Sequence, residues 1–577
     1  MTELEKKNKE FQEEIEKLKK QVKILKAKKK YGLVWEADKE PEQIVLDCQY
    51  KIPILKDVKT KEIYTNKEKP INILIEGDNY HALSVLNYTH KDKIDVIYID
   101  PPFNTGARDW KYNNNFVDAE DPYRHSKWLC MMEKRLRLAK NLLKNTGIII
   151  IAIDDYELFT LGLMADEIFT EKNRIGIIPV RNNPPGRAIS KYFATSHEYY
   201  LFYAKNINNV VIQNLPIKEI DKNKYPYKDN ISFYRRKSLS MRGHGSLEER
   251  PNNYFPIYVN IITKEISLIK IQGFLKILPH IGKDGKQRVW DYPNDSMKKL
   301  IEDGDIDVVR EKNGNISIYK KDRINKGMRP KSLWLDAKYD SSAYGAVLLK
   351  KMFNDNKIFD YPKSLYAVID AIFTSSNNNK DITILDFFAG SGTTGHATLE
   401  LNKEDNGNRT FILCTNNESN ICTEVCYPRI EKVINGMKNF NGKNLDGLGG
   451  NLKYFKTELL DIEHISHITD EQKIKLTYKA GEMIALREIT FEEVEKNEWW
   501  QIFKDGTKYT AIYFKEDKKK LYELAKKLSK LNQKVVLYIF SWGKNEYKDE
   551  FAAYKNIKVD DIPEPIIDVY KEVNRLG

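Results

Sequence analysis

The spacing of apolar residues changes character several times along this chain. Residues 3–30 contain neither Pro nor Gly and repeat an apolar residue every seven positions: Leu4, Phe11, Leu18 and Leu25, with Met1, Asn8, Ile15 and Val22 as the companion series. β-branched residues and one Asn at a, with mostly Leu at d, predict a two-stranded parallel coiled coil. A single amphipathic helix lying on its own domain is the other reading. A loop through Glu40-Pro41 ends this segment. Short apolar strands follow at Asn72–Glu76 and Asp95–Ile99, separated by a helical stretch from Tyr80 to Asn87. A helix is predicted over Ser126–Lys144, then strands at Ile148–Ile153 and Glu198–Tyr203. Strands alternating with helices mean an α/β sheet.

From about Lys205 to Asp340 the strands shorten and turns such as Asp284-Gly285 and Asn313-Gly314 appear, which reads as an inserted domain over 206–340. The α/β pattern resumes with a helix at Leu365–Phe373, the strand Ile382–Asp386, a helix from Thr393 and the strand Thr410–Leu413. Residues 451–577 form a last unit, with strands Tyr509–Phe514 and Val535–Phe540 around a basic helix, Lys518–Lys530. The expected organisation is therefore a helix over 1–30, an α/β domain in two segments (31–205 and 341–450), the insert, and a C-terminal domain.

Composition narrows this. Hydrophobic residues are 41% and charged residues 31%, and 34 Tyr, 23 Phe and 8 Trp exclude a mostly disordered chain. The longest apolar run, Gly147–Ile153, is too short to span a bilayer, so no membrane partner is expected. The start of the chain is charged from Glu3 and carries no apolar signal core, and five cysteines without paired spacing fit a reducing compartment; a cytoplasmic location and no metal site are the expectations. The formal charge is +12. Residues 206–340 hold 26 Lys+Arg against 17 Asp+Glu (+9), and residues 1–30 hold 11 against 6 (+5), so the rest is close to neutral. A basic insert favours a polyanion.

Two motifs carry chemistry. In Ile97-Tyr98-Ile99-Asp100-Pro101-Pro102-Phe103 a strand delivers an Asp and then two prolines. Proline fixes φ and cannot donate to the ladder, so the chain leaves the sheet stiffly. Asp100 is thereby held at the carboxyl end of a strand, where open α/β sheets bind ligands. Phe103 stands beside it as a flat platform. This suits methylation of an exocyclic amine. A carboxylate and a backbone carbonyl accept hydrogen bonds from the two N–H groups, while the ring stacks on a flipped base. The other reading is a Pro-Pro turn with a capping Asp. The second motif, Asp386-Phe387-Phe388-Ala389-Gly390-Ser391-Gly392-Thr393-Thr394, reads as strand, glycine turn, helix. It lacks the Gly-Lys-Ser/Thr of a Walker loop and the three-glycine dinucleotide fingerprint.

Together these motifs resemble the amino-directed DNA methyltransferases that use S-adenosylmethionine. The catalytic motif precedes the cofactor motif with a basic insert between, an order similar to the β group. The resemblance implies a Rossmann-like methyltransferase sheet with an inserted target recognition domain and a C-terminal α/β domain. It implies catalytic roles for Asp100, Pro101, Pro102 and Phe103. For the cofactor it implies Asp78, from Glu76-Gly77-Asp78-Asn79, and Lys363, from Tyr361-Pro362-Lys363-Ser364 at the methionine end. Asp386, Phe388, Gly390, Gly392 and Thr393 complete that set. Many relatives place an acid directly at the ribose position; here Asn416 and Asn417 precede Glu418, so the ribose contact is assigned to this triplet with Glu418 favoured. His197–Tyr203 resembles a strand lining the base pocket.

Length, the Arg250–Tyr258 stretch and the C-terminal extension look most like type III modification subunits. This implies double-stranded DNA as substrate, adenine N6 as the target atom, a homodimer, and a helicase–nuclease restriction subunit as a further partner. Cytosine-N4 methylation and a non-catalytic DNA-binding relative are the rivals; the former more usually has Ser at the Asp100 position. No Pro-Cys dipeptide occurs, which argues against a 5-methylcytosine enzyme. In the insert, Arg235, Arg236, Lys237 and Arg242 read as a basic, flexible stretch for phosphate or guanine contact, or else as an exposed loop. Asp109–Tyr112 either shapes the pocket or packs in the core.

Overall fold

The computed structural model describes residues 41–577 apart from 187–191, 217–222, 241–244, 283, 313, 355, 439–443, 544–546, 548 and 577. The expected coiled coil over 1–30 and Arg242 lie outside the described residues. Two compact units are present, one formed by the chain up to Ile212 together with Lys331 onward, the other by Gln213–Pro330.

The first unit is built on one large sheet. Its strands are β1 (Lys51–Asp57), β2 (Ile71–Glu76), β3 (Ile94–Ile99), β4 (Leu143–Ile153), β5 (Arg174–Val180), β6 (Glu198–Ala204), β7 (Thr383–Asp386), β8 (Thr410–Thr415) and β9 (Asn451–Asp461). Their order is β1-β9-β2-β8-β7-β3-β4-β6-β5. From β9 through β4 every pairing is parallel, while β1, β6 and β5 join antiparallel at the two ends. Central parallel strands are covered on both faces, so they read as continuous apolar runs. The alternation is visible in where neighbours go. Ile97, Ile99, Ile149 and Ile151 enter one core cluster, and Val96, Tyr98, Ile148 and Ile150 enter the other. Helices α1 (Asn79–Thr89) and α2 (Arg124–Leu142) pack in the first cluster. Helix α3 (Leu365–Thr374) packs in the second, joined by Ala397 and Leu401 of α4 (Thr393–Asp405).

The sequence boundary at residue 450 is corrected here. Asn451–Asp461 is an interior strand of the large sheet, hydrogen-bonded between β1 and β2, and not the start of a separate domain. Lys453, Lys456, Thr457 and Glu458 interrupt its apolar run, which disguised it. The later residues form a five-stranded sheet, Glu492–Lys496 to Ile557–Ile562, with the basic helix Lys518–Ser529 on it. The helix Glu564–Leu576 then returns to the first cluster through Ile566, Ile567 and Tyr570. Among the described residues no helix is long and apolar enough to cross a membrane.

The second unit holds a four-stranded antiparallel sheet (Tyr227–Lys228, Phe233–Ser238, Ile316–Arg323, Ile306–Arg310) and a three-stranded one around Ile257–Val259. Leu239, Trp290, Met297, Ile306 and Ile318 make its core.

Candidate active site

Asp100 follows the last residue of β3, and the two prolines turn the chain away as expected. The Trp128 indole donates to the Pro102 carbonyl at 2.7 Å, which fixes the turn to α2. Asn104 next adopts φ +57°, a conformation Asn tolerates better than most residues. Its buried amide accepts from Trp110 (3.0 Å) and donates to the buried Glu157 (2.5 Å). Trp110 and Tyr112 are themselves buried, so this segment packs in the core. Phe103 stays half-buried on the edge of the first cluster.

The Asp100 carboxylate meets Lys363. The ammonium lies 2.9 Å from Asp100 Oδ1, 2.9 Å from Glu198 Oε2 and 4.3 Å from the centre of the Phe103 ring. Glu198, the first residue of β6, is buried and also accepts from the Asn182 amide at 2.8 Å. Burial lifts the Asp100 carboxyl to about 6; Lys363 opposes this and Glu198 adds to it. Burial works against the Lys363 ammonium, but the two carboxylates outweigh it and hold it firmly protonated. Asp154, just past β4, is lifted to about 7 by burial, with the neighbouring Asp155 adding. The strand ends thus gather more carboxylate than cation, as functional sites do. Lys363, expected at the methionine end of the cofactor, is ion-paired with Asp100 and Glu198 in this structure.

The glycine turn lies beside this cluster. Asp386 ends β7, buried, and accepts from Phe388 N (2.9 Å) and Thr394 Oγ1 (2.6 Å). Burial lifts its carboxyl to about 7. Its role is to shape the loop. Gly390 and Gly392 have φ +50° and +78°. They face opposite ways. A Cβ on Gly390 would meet nothing nearer than Phe359, at 3.5 Å, and the Phe388 carbonyl, at 3.8 Å, whereas one on Gly392 would press on Cys426 Sγ at 3.1 Å. Phe388 is half-buried; Thr393 is buried and hydrogen-bonded from behind by Arg429 at 2.9 Å.

On the next strands, Asp78 caps α1 by accepting from Tyr80 N at 2.7 Å. Arg135, held bidentately by the buried Glu42 at 2.8 Å, approaches the same oxygen at 3.6 Å. Both contacts fall on Oδ1; among the described residues none is made to Asp78 Oδ2. In the triplet after β8, Asn417 spends its carbonyl oxygen on Thr423 N and Oγ1, both at 3.0 Å, and so braces the loop. Glu418 is exposed and ion-paired with Lys111. Only a fold could reveal that pairing, because the partners are far apart in sequence.

In the second unit the flexible-loop reading of Arg235, Arg236 and Lys237 is corrected. They lie on the strand Phe233–Ser238, paired in register with Asp322, Lys321 and Lys320. Arg235 and Lys237 both bind Asp322 (2.7 and 2.8 Å), and Arg236 binds Asp307 (2.7 Å) while covering Tyr227. The basic run is an alternating strand whose acids come from its neighbours.

The N6/N4 DNA methylase family matches residues 94–425, from β3 past the glycine loop. The type II methyltransferase M.KpnI of Klebsiella pneumoniae is 32% identical over 67% of this chain and 90% of its own length. The EcoPI Mod subunit of Escherichia phage P1, a type III restriction-modification enzyme, is 30% identical over 68% of this chain and 64% of its own. The StyLTI Mod subunit of Salmonella typhimurium is 31% identical over 63% and 55%. The chain belongs to the DNA methylase family. It spans less than two thirds of either Mod subunit.

This DNA methylase uses S-adenosylmethionine, and its residues fit that group. The open face of Gly390 is a cradle that a Cβ would fill. The Phe388 carbonyl borders it at 3.8 Å. Sequence reading missed Glu198 as a partner of Lys363, Arg135 with Glu42 behind Asp78, and Arg429 beneath the glycine loop. The only signal for them was a charged residue inside an apolar pattern, which by itself names no partner.

Proposed function

We propose that this methyltransferase acts on adenine N6 in double-stranded DNA, as the modification subunit of a type III-like system. The observation that carries the reading is the Asp100 carboxylate at the strand end, tied by Lys363 to Glu198 and flanked by Phe103. Asp100 and the Pro101 carbonyl accept the two N–H groups of the amine; the Pro102 carbonyl is already engaged by Trp128. These bonds turn the nitrogen lone pair out of conjugation. The flipped base stacks on Phe103, an interaction worth about 1–3 kcal/mol per base. When bound, S-adenosylmethionine supplies the methyl group. As the amine nitrogen gains the methyl group, one of its protons would leave through Asp100, whose carboxyl is already raised.

Asp78, Phe388, Gly390 and Glu418 hold the cofactor, with Asp386, Gly392, Thr393 and Asn417 fixing the loops behind them. Residues 213–330 read the DNA sequence. The Mod relatives support a restriction subunit as partner, and a homodimer lets one copy read while the other methylates. Transfer of labelled methyl to unmethylated DNA, followed by nucleoside analysis, tests this. N6-methyladenine is the expected product; N4-methylcytosine or no transfer overturns it.

A further inference from the structure

Arg429 belongs to the helix Tyr427–Asn435 and is completely buried. One terminal nitrogen donates to Thr393 Oγ1 (2.9 Å), Ser391 Oγ (3.1 Å) and the Ser391 carbonyl (3.4 Å). The other lies 3.4 Å from His396 Nδ1. Its Nε has no partner, and among the described residues no carboxylate pairs with it. A buried charge without a counter-ion is expensive. This one also faces the first turn of α4, where the helix dipole is already positive. Burial pushes the guanidinium down to about 10.

The hydrogen-bond chemistry indicates what the charge is for. A guanidinium only donates, so the Ser391 and Thr393 oxygens act as acceptors towards it. Each hydroxyl keeps one proton. The two oxygens are 3.3 Å apart, so one proton can pass between them. The other remains as a donor backed by an unneutralised cation, on a loop whose far side is the open face of Gly390.

We infer that Arg429 is a positioning residue that polarises Ser391 and Thr393 to receive an anionic group, the carboxylate at the amino-acid end of the methyl donor. This rests on the reading of the glycine loop as the cofactor site. The bound carboxylate neutralises a charge that the empty loop leaves unpaired, so the loop discriminates by charge as well as by shape.

Calorimetry on the full chain separates the outcomes, with S-adenosylmethionine and its decarboxylated analogue as probes. Arg429→Met should weaken S-adenosylmethionine roughly tenfold or more, the scale of one hydrogen bond to a charged group. The analogue's affinity should stay within about twofold. Equal losses for both probes, or no loss for either, overturn the proposal, since a packing role does not distinguish them. Should Arg429→Met not fold, the pair Ser391→Ala with Thr393→Val decides: it should show the same selective loss, and equal losses count against the inference. Gly390→Val keeps the two readings apart. If it binds S-adenosylmethionine as well as the parent, the loop is not the cofactor site and both readings fall; if it does not, only the probe comparison bears on Arg429.

Discussion

The second unit and the carboxyl edge of the large sheet are both rich in charge, yet they treat it in opposite ways. Among the described residues of the 213–330 unit the buried arginines find acids, and less buried lysines join them. Arg323 binds Asp229 (2.7 Å) and Asp305 (2.6 Å), Lys321 binds Asp229, and Lys326 binds Asp305. Asp229, Asp305 and Asp322 are all held below the ordinary carboxylate range, Asp229 chiefly by Arg323 and the other two by their cations against burial. At the sheet edge Asp100, Asp154 and Asp386 are all pushed up by burial, and Arg429 is left without an anion. Charge that satisfies itself builds structure. Charge left unbalanced in a dry place is available to a ligand.

Breaking the two regions should therefore do different things. Asp100→Ala should abolish methyl transfer, by about 10³-fold or more, on the scale of removing a preorganised electrostatic group. Its thermal transition should hold or rise, because an unfavourable buried carboxylate is gone. A labelled-methyl assay beside a melting curve checks both, and near-normal turnover would falsify the active-site assignment. Arg323→Met should do the reverse. Stripping Asp229 and Asp305 of their shared cation should cost the 213–330 unit about 3–5 kcal/mol, read by chemical denaturation, with cofactor affinity unchanged. A variant as stable as the parent would show that the network is only decorative.

A smaller effect is expected from Glu198→Gln. The Asp100 carboxyl is raised by burial first and by Glu198 as well, so the active carboxylate is present above about pH 6 and lost as pH falls through it. Removing the Glu198 charge should move the acid limb of kcat/KM to lower pH. A limb that stays or moves upward contradicts the clamp. The smallest effect should come from neutralising Arg235, Arg236 and Lys237 together. Three free phosphate contacts would lower the salt slope of DNA binding by about 2.7. Because all three are already paired with Asp322 and Asp307, a drop well below that is expected. A full drop would mean that DNA displaces those acids.

Much of this was legible in advance. The strands Asn72–Glu76 and Asp95–Ile99 and the helix from Thr393 were marked by uninterrupted apolar runs or by proline and glycine, and the structure has them within a residue or two. Asp100 was legible because two prolines rarely follow a buried strand. What escaped has one physical cause. Glu198, Arg135, Arg429 and Lys111 matter through partners far along the chain, and a lone charged residue carries no signal of where its partner lies. The strand β9 escaped because its lysines and threonine interrupt the apolar run that a central strand ordinarily shows, and the run at Arg235–Lys237 misled because its acids sit on two other strands of the sheet.

The order of strands in the large sheet also has a consequence for how the chain is made. β2 is complete at residue 76, yet its neighbours are β8 and β9, which begin at residues 410 and 451. On the ribosome, 333 residues (77–409) separate the end of β2 from the start of its first partner, which at about 5–20 residues per second is roughly 15–70 s. During that interval both edges of an apolar strand are open, while β3, paired on one side with β4, waits with its other edge open for β7, which starts at residue 383. The whole insert is synthesised in between and, with its short-range antiparallel pairings, can fold first. The Asp100 edge of the sheet therefore closes late, and nascent chains cut short before residue 383 leave ribosomes with β2 unpaired on both edges and β3 open on one, a form exposed to chaperones and to aggregation.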